Sequence, residues 1–239
     1  SSISGGSAAE NGTQQVTVTI TDNESAPTVT LTSSTNSIAE NGAGTVTLTA
    51  TLSGRTYENT VVVLSFTGTT SSTDYLGLTS IIIPSGDLTG TENLGIVNDT
   101  IFETNETIII DVSSVSGGDA TESGTQQQTI TVTNDDSAPT LTLSSSSSVD
   151  EDGSAITITG TLSNPTYQTV TVGISASGTA TLNTDYTLSS TSFTIAAEGT
   201  TGSVTATPTN DNTFEGDETI IIDVSSVSGG SATENGTQQ

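Results

Sequence analysis

The strongest constraint on the fold is a repeat. The block that opens Ser1-Ser2-Ile3-Ser4-Gly5-Gly6 returns from Ser113 and again from Ser225, each time 112 residues further on. Pro27 and Pro139, Phe102 and Phe214, and Asp111 and Asp223 keep the same interval, so the period spans the whole chain and not one motif. A unit of 112 residues is the size of a β-sandwich domain. The phase assigns residues 1–25 to the last strand of a preceding module, 26–137 to a complete module, and 138–239 to a second module. That module stops at Gln239, the counterpart of Gln127, and is expected to lack its last strand.

Within each unit the apolar residues fall in short β-branched runs bounded by Gly, Asn and Ser. In the complete module they predict seven strands: Thr28–Ser33, Thr45–Ser53, Thr60–Thr67, Ser80–Pro84, Thr91–Val97, Glu106–Ser113 and Gln128–Thr133. The second module repeats six, near Thr140–Ser145, Ala155–Ser163, Thr169–Ser175, Thr191–Ala196, Thr201–Thr207 and Glu218–Ser226. Val46, Leu48, Ala50 and Leu52 alternate with Thr, which gives one buried face and one hydroxyl face. Seven short strands without helical periodicity argue for an all-β fold of tandem, immunoglobulin-like antiparallel sandwiches.

Composition narrows the function. One Lys or Arg stands against 27 Asp and Glu, a net charge of −26, which excludes ordinary phosphate-backbone recognition and contact with anionic membranes. With no His, Cys or Lys the usual bases, thiol nucleophiles and Schiff-base amines are missing, so the expectation is that this is not an enzyme. No run approaches the roughly 20 apolar residues of a membrane helix, and residues 1–20 lack the pattern of a signal peptide. The chain reads as a piece of a longer secreted, extracellular protein.

The acids are placed by strand direction. If successive strands alternate, the loops after the first, third and fifth strands meet the end of the seventh at one pole. Those places carry Glu40; Asp74; Asp99, Glu103 and Glu106; and Asp135 with Asp136. Converging carboxylates without a nearby Lys or Arg repel one another unless a cation sits among them, so the pole is read as a metal site. Hard oxygen donors in this number favour calcium over magnesium, zinc or copper. The opposite pole carries Arg55, Tyr57 and Glu58, the Asp87 turn, and the Ser114–Gln127 loop.

These motifs resemble the Calx-beta family of calcium-binding β-sandwiches, found in sodium–calcium exchangers, integrin β4 and large bacterial surface proteins. The carrying residues are Ala39-Glu40-Asn41-Gly42, Thr73-Asp74-Tyr75, the acidic loop from Asn98 to Glu106 leading into Ile108-Ile109-Ile110-Asp111, and Asn134-Asp135-Asp136. The second module repeats them as Asp150-Glu151-Asp152-Gly153, Thr184-Asp185-Tyr186 and Asn210 to Glu218. The resemblance implies calcium ligands at Glu40, Asp74, Asp99, Glu103, Glu106, Asp135 and Asp136, and at Glu151, Asp185, Asp211, Glu215 and Glu218. Asn98 and Asn210 stand where the family's tightest binders have an Asp. Their amide oxygens can still ligate, but the lower ligand charge points to the 10⁻⁴ to 10⁻³ M affinities of extracellular modules.

The expected role is structural: a calcium-stiffened repeat of an adhesin, stalk or filament, partnered by neighbouring modules or identical subunits. A module that recognises a glycan, ice or a protein surface is the alternative. Residues Gln15–Thr21, followed by Asp22 and Glu24, match the strand and acids absent from the second module. A strand from one subunit could therefore complete the last module of its neighbour and bring Asp22 to Asp185, Asp211 and Glu215.

Overall fold

The structure, a computed structural model, describes residues 5–9, 11–41 and 45–236. Gly42 of the first acidic motif and the terminal Gln239 lie outside the described residues. The first module comprises β1 (Thr28–Ser33), β2 (Ser37–Ala39), β3 (Val46–Leu52), β4 (Thr60–Gly68), β5 (Tyr75–Leu76), β6 (Ser80–Ile83), β7 (Thr89–Ile96), β8 (Glu106–Ser116), β9 (Thr121–Glu122) and β10 (Gln127–Thr133). The second comprises β11 (Thr140–Ser144), β12 (Ile156–Leu162), β13 (Val170–Gly178), β14 (Tyr186–Leu188), β15 (Ser192–Ile195), β16 (Thr201–Pro208), β17 (Ile220–Ser228) and β18 (Thr233–Glu234). The described residues contain no helix.

Each module is a two-sheet sandwich. The first packs a sheet of order β5-β7-β3-β1-β9 against one of order β2-β10-β8-β4-β6. All seven predicted strands are present within a few residues, and the short β2, β5 and β9 are additions. Two of these pair in parallel, β9 with β1 and β2 with β10, where the sequence suggested antiparallel pairing throughout. For β2 the reason is a sheet switch. Residues 28–39 form one extended run that leaves β1 at Ser34, whose amide donates to the Thr47 carbonyl, and joins the other sheet at Asn36, whose carbonyl accepts from Thr131. Keeping its direction, the run meets β10 in parallel and delivers Glu40 directly beside the closing strand.

The period-2 pattern sets the core. In β3 Val46, Leu48, Ala50 and Leu52 are buried, while Thr47, Thr49 and Thr51 alternate toward solvent. Val29, Leu31, Val62, Ile81, Ile108, Ile110 and Ile130 close the same cluster. Each such side chain contributes about 1.5–3 kcal/mol on burial, so an aliphatic core suffices without Cys or Trp. The second core pairs Gly160 with Phe193 where the first has Ala50 with Ile81. A Cβ at Gly160 would lie 2.4 Å from the Phe193 ring, so the larger ring is accommodated by the missing methyl.

The second module differs at one edge. Its sheets run β14-β16-β12-β11-β18 and β15-β13-β17, so among the described residues β17 has a partner on one side only. No described strand corresponds to β2 or β10. Ile220, Ile222 and Val224 are consequently half-exposed, whereas their counterparts Ile108, Ile110 and Val112 are buried.

Candidate metal centre

Tight local turns hold the carboxylates of the first module. The Asp74 side chain accepts from the Ser71 amide at 2.6 Å and from the Ser71 and Thr73 hydroxyls at 3.1 Å, which fixes it at the start of β5. Asp99 Oδ1 accepts from the Ile101 amide at 2.7 Å, folding the acidic loop back on itself. The loop is braced from β10 by Asn134, whose Oδ1 accepts from the Glu103 amide at 3.1 Å and whose own amide donates to Asn105 Oδ1 at 3.2 Å. Asn134 Nδ2 also donates to the Asp136 carbonyl at 2.9 Å. The end of β10, the acidic loop and the end of β2 thereby form one cluster.

Electrostatics measure that convergence. Glu40, 4% exposed, has its carboxyl raised from the usual 4.5 to about 7, first by burial and then by Asp99, Glu103 and Asp136. Glu103 is likewise raised to about 7 by burial, then by Glu106, Asp74 and Asp99. Burial followed by Asp74 raises Glu106, and burial followed by Asp135 and Asp99 raises Asp136. Oδ2 of Asp136 is buried without a hydrogen-bond partner. A carboxylate oxygen in that position is costly unless a cation or proton reaches it.

In the second module the equivalent acids are more open. Asp185 is held by the Thr181 amide at 2.6 Å, Glu151 accepts from the Asp211 amide at 2.8 Å, and Asp211 accepts from the Thr213 amide at 2.6 Å. Carboxylate oxygens of Asp185, Glu215 and Glu218 lie within 4.8 Å of one another, the one trio at that spacing among the described residues. Burial and then Asp185 raise both Glu215 and Glu218. The greater exposure of Glu151 than of Glu40 follows from the edge: nothing described covers Glu151 as β2 and β10 cover Glu40.

Other predicted site residues lie differently. Asn98 and Asn210 are exposed, and Asn98 donates from Nδ2 to the Asp99 carbonyl at 3.2 Å. Asp135 is exposed beside Asp136. Asp22 and Glu24 are exposed at the opposite pole of the first module, lining a cavity with Arg55, Thr56 and Tyr57, and so belong to neither cluster within a single chain.

One acid was missed. Glu198, in the β15–β16 turn of the second module, is close enough to help raise Glu103 of the first. The acidic loop also docks there. The Phe102 amide donates to the Pro165 carbonyl at 3.0 Å, and the Phe102 carbonyl accepts from the Tyr167 amide at 3.1 Å and the Thr166 hydroxyl at 3.2 Å. The repeat held the signal: Glu198 replaces Gly86 at the matching turn, and Phe102 stands with Ile101 inside an otherwise polar loop.

The Calx-beta domain family model matches residues 22–137 and again residues 134–238. The chain belongs to the Calx-beta family. Calx-beta domains are calcium-binding and structural modules rather than enzymes, and the oxygen-only donor set with its orphaned Asp136 Oδ2 fits a hard divalent cation. In the first module Glu40, Asp74, Asp99, Glu103, Glu106 and Asp136 would hold it; in the second, Glu151, Asp185, Asp211, Glu215 and Glu218. Similar solved structures include the calcium binding domain CBD12 of CALX1.1, at 17% identity and TM-score 0.38, over 80% of this chain and 77% of that one. The apo-form Calx CBD1 domain matches at 19% identity and TM-score 0.39, over 46% and 99%. A putative carbohydrate binding protein from Bacteroides ovatus matches at 12% identity and TM-score 0.34, over 82% and 64%. Among curated proteins none matches this Calx-beta chain.

Proposed function

We propose that this chain is a structural calcium-binding repeat of an extracellular adhesin, stalk or filament, in which calcium stiffens the junction between modules. One observation carries the reading. The acidic loop that bears Asp99, Glu103 and Glu106 also reaches across, through Phe102, to hydrogen-bond Pro165, Thr166 and Tyr167 of the next module. Glu103 and Glu198 oppose each other over the same junction, so neutralising the cluster relieves repulsion within a module and between modules together. A cation bound there favours the docked arrangement by the difference in its affinity for the docked and undocked forms. The junction is further tied by Asn164, whose Nδ2 donates to the Ser137 carbonyl at 2.9 Å.

X-ray scattering of the 239-residue chain in millimolar calcium and in chelator tests this. The expected outcome is a longer maximum dimension and a narrower distance distribution in calcium. Identical profiles in the two media would contradict stiffening.

A further inference from the structure

The first module hydrogen-bonds the second from Phe102 and from Ser137, and the two contacts land side by side. Phe102 meets Pro165 and Tyr167 through its backbone, while the Ser137 carbonyl accepts from Asn164 Nδ2 at 2.9 Å. Asn164 is itself oriented by Ser163, whose hydroxyl donates to Asn164 Oδ1 at 2.8 Å. On the first-module side both contacts lead back to one half-buried side chain at the end of β10. Asn134 Oδ1 accepts at 3.1 Å from the amide of Glu103, the residue after Phe102. Asn134 Nδ2 donates at 2.9 Å to the carbonyl of Asp136, the residue before Ser137. Hydrogen bonds and peptide bonds thus close a ring that leaves Asn134 through Glu103 and Phe102, crosses to Pro165 and Asn164, and returns through Ser137 and Asp136. One residue back, the Thr133 carbonyl accepts from the Glu40 amide at 3.0 Å, so the buried acid is fastened to the same point.

We infer that Asn134 is a positioning residue that couples the acidic cluster of the first module to the docking of the second, its one amide holding the acidic loop and the linker as a unit. The coupling rests on the calcium reading above for its ligand; the ring rests on the hydrogen bonds alone. Glu103 and Asp136 contribute carboxyls to the cluster, and their backbones are the groups that Asn134 spans. An ion that draws the two carboxylates together steadies both of those bonds. Phe102 and Ser137, one residue further out, are then held at the separation that Pro165 and Asn164 require. By linkage, docking raises cation affinity by the factor by which the cation favours docking.

The residue type follows from the two bonds. The position needs an acceptor toward an N–H and a donor toward a carbonyl at once, which a short amide side chain supplies. Aspartate would keep the bond from Glu103, lose the one to Asp136 and add a charge to a cluster that already repels itself. Asp22 stands at this place one period earlier, so the repeat itself admits aspartate here. If Asn134 only terminated β10, its removal would be felt within the first module and not across the junction.

Hydrogen exchange at the Phe102 and Tyr167 amides, whose acceptors lie across the junction, reads docking in the 239-residue chain. In chelator, Asn134→Ala should speed exchange of both amides about tenfold, with the amides of β3 exchanging as in the parent and showing that the sandwich is folded. In calcium the parent should gain further protection at both amides. Asn134→Ala and Asn134→Asp should lose most of that gain and bind calcium about fivefold or more weakly by titration calorimetry. Asn134→Asp, which keeps the Glu103 bond, carries the test if alanine loosens β10. A parent that binds no calcium would overturn the calcium reading and the coupling with it. A parent that binds calcium, beside variants whose Phe102 and Tyr167 amides exchange as in the parent or gain full protection in calcium, would overturn this inference alone.

Discussion

Replacing Glu40 by Gln isolates the energy stored in the acidic cluster. The carboxyl is 4% exposed and raised from 4.5 to about 7, with burial the largest cause and Asp99 and Glu103 next. A carboxyl whose folded value exceeds its unfolded one binds more protons in the folded state. The stability it contributes is therefore fully present below about pH 4.5 and is lost as the pH rises through about 7. At 1.36 kcal/mol per pH unit the loss is at most about 3 kcal/mol. Glutamine keeps an acceptor for the Asp99 amide and removes the charge. In chelator, urea unfolding of the parent should show the first module weaker at about pH 7.5 than at about pH 5. Glu40→Gln should flatten that slope and add about 1–3 kcal/mol at the higher pH. In calcium the order reverses, since the parent gains a bound ion and the variant lacks a ligand. A variant less stable than the parent in chelator at about pH 7.5 would refute repulsion as the property stored there.

Three further outcomes are expected. Asp136→Asn should lower calcium affinity of the first module about tenfold or more by titration calorimetry, while metal-free stability holds or rises, because a buried unpartnered charge is removed. Gly160→Ala should cost about 1–3 kcal/mol against the Phe193 ring, and adding Phe193→Ile should recover most of it by restoring the Ala50 and Ile81 pairing; calorimetric melts of both variants check this. Thr166→Val removes the hydroxyl that bonds the Phe102 and Gly230 carbonyls, and should cost about 1–2 kcal/mol, seen as faster hydrogen exchange at the Tyr167 amide.

Much of this architecture is legible in the residues themselves. Apolar alternation in Val46–Leu52 and its relatives places the seven long strands, because a period of two has only one way to bury a face. Strand direction brings Glu40, Asp74, Asp99, Glu103, Glu106 and Asp136 together without any tertiary information. The sheet switch at residues 34–36 is less readable, since a run that crosses between sheets keeps the pattern of a single strand and only its partners change. The junction is least readable of all. Assigning loops to poles treats each module alone, whereas Phe102 and Glu198 acquire their roles when the acidic pole of one module meets the opposite pole of the next. Glu151 is more exposed than Glu40 because no described strand lies over it as β10 lies beside Glu40.

Scanning calorimetry of the 239-residue chain in calcium and in chelator, at one pH near 7.5, tests the central claim most directly. At sites with affinities of about 10⁻⁴ to 10⁻³ M, about 10 mM calcium adds about 1.5–2.7 kcal/mol per module. The account predicts midpoints about 5–15 °C higher in calcium, rising with its logarithm. Coincident midpoints in calcium and chelator would contradict it.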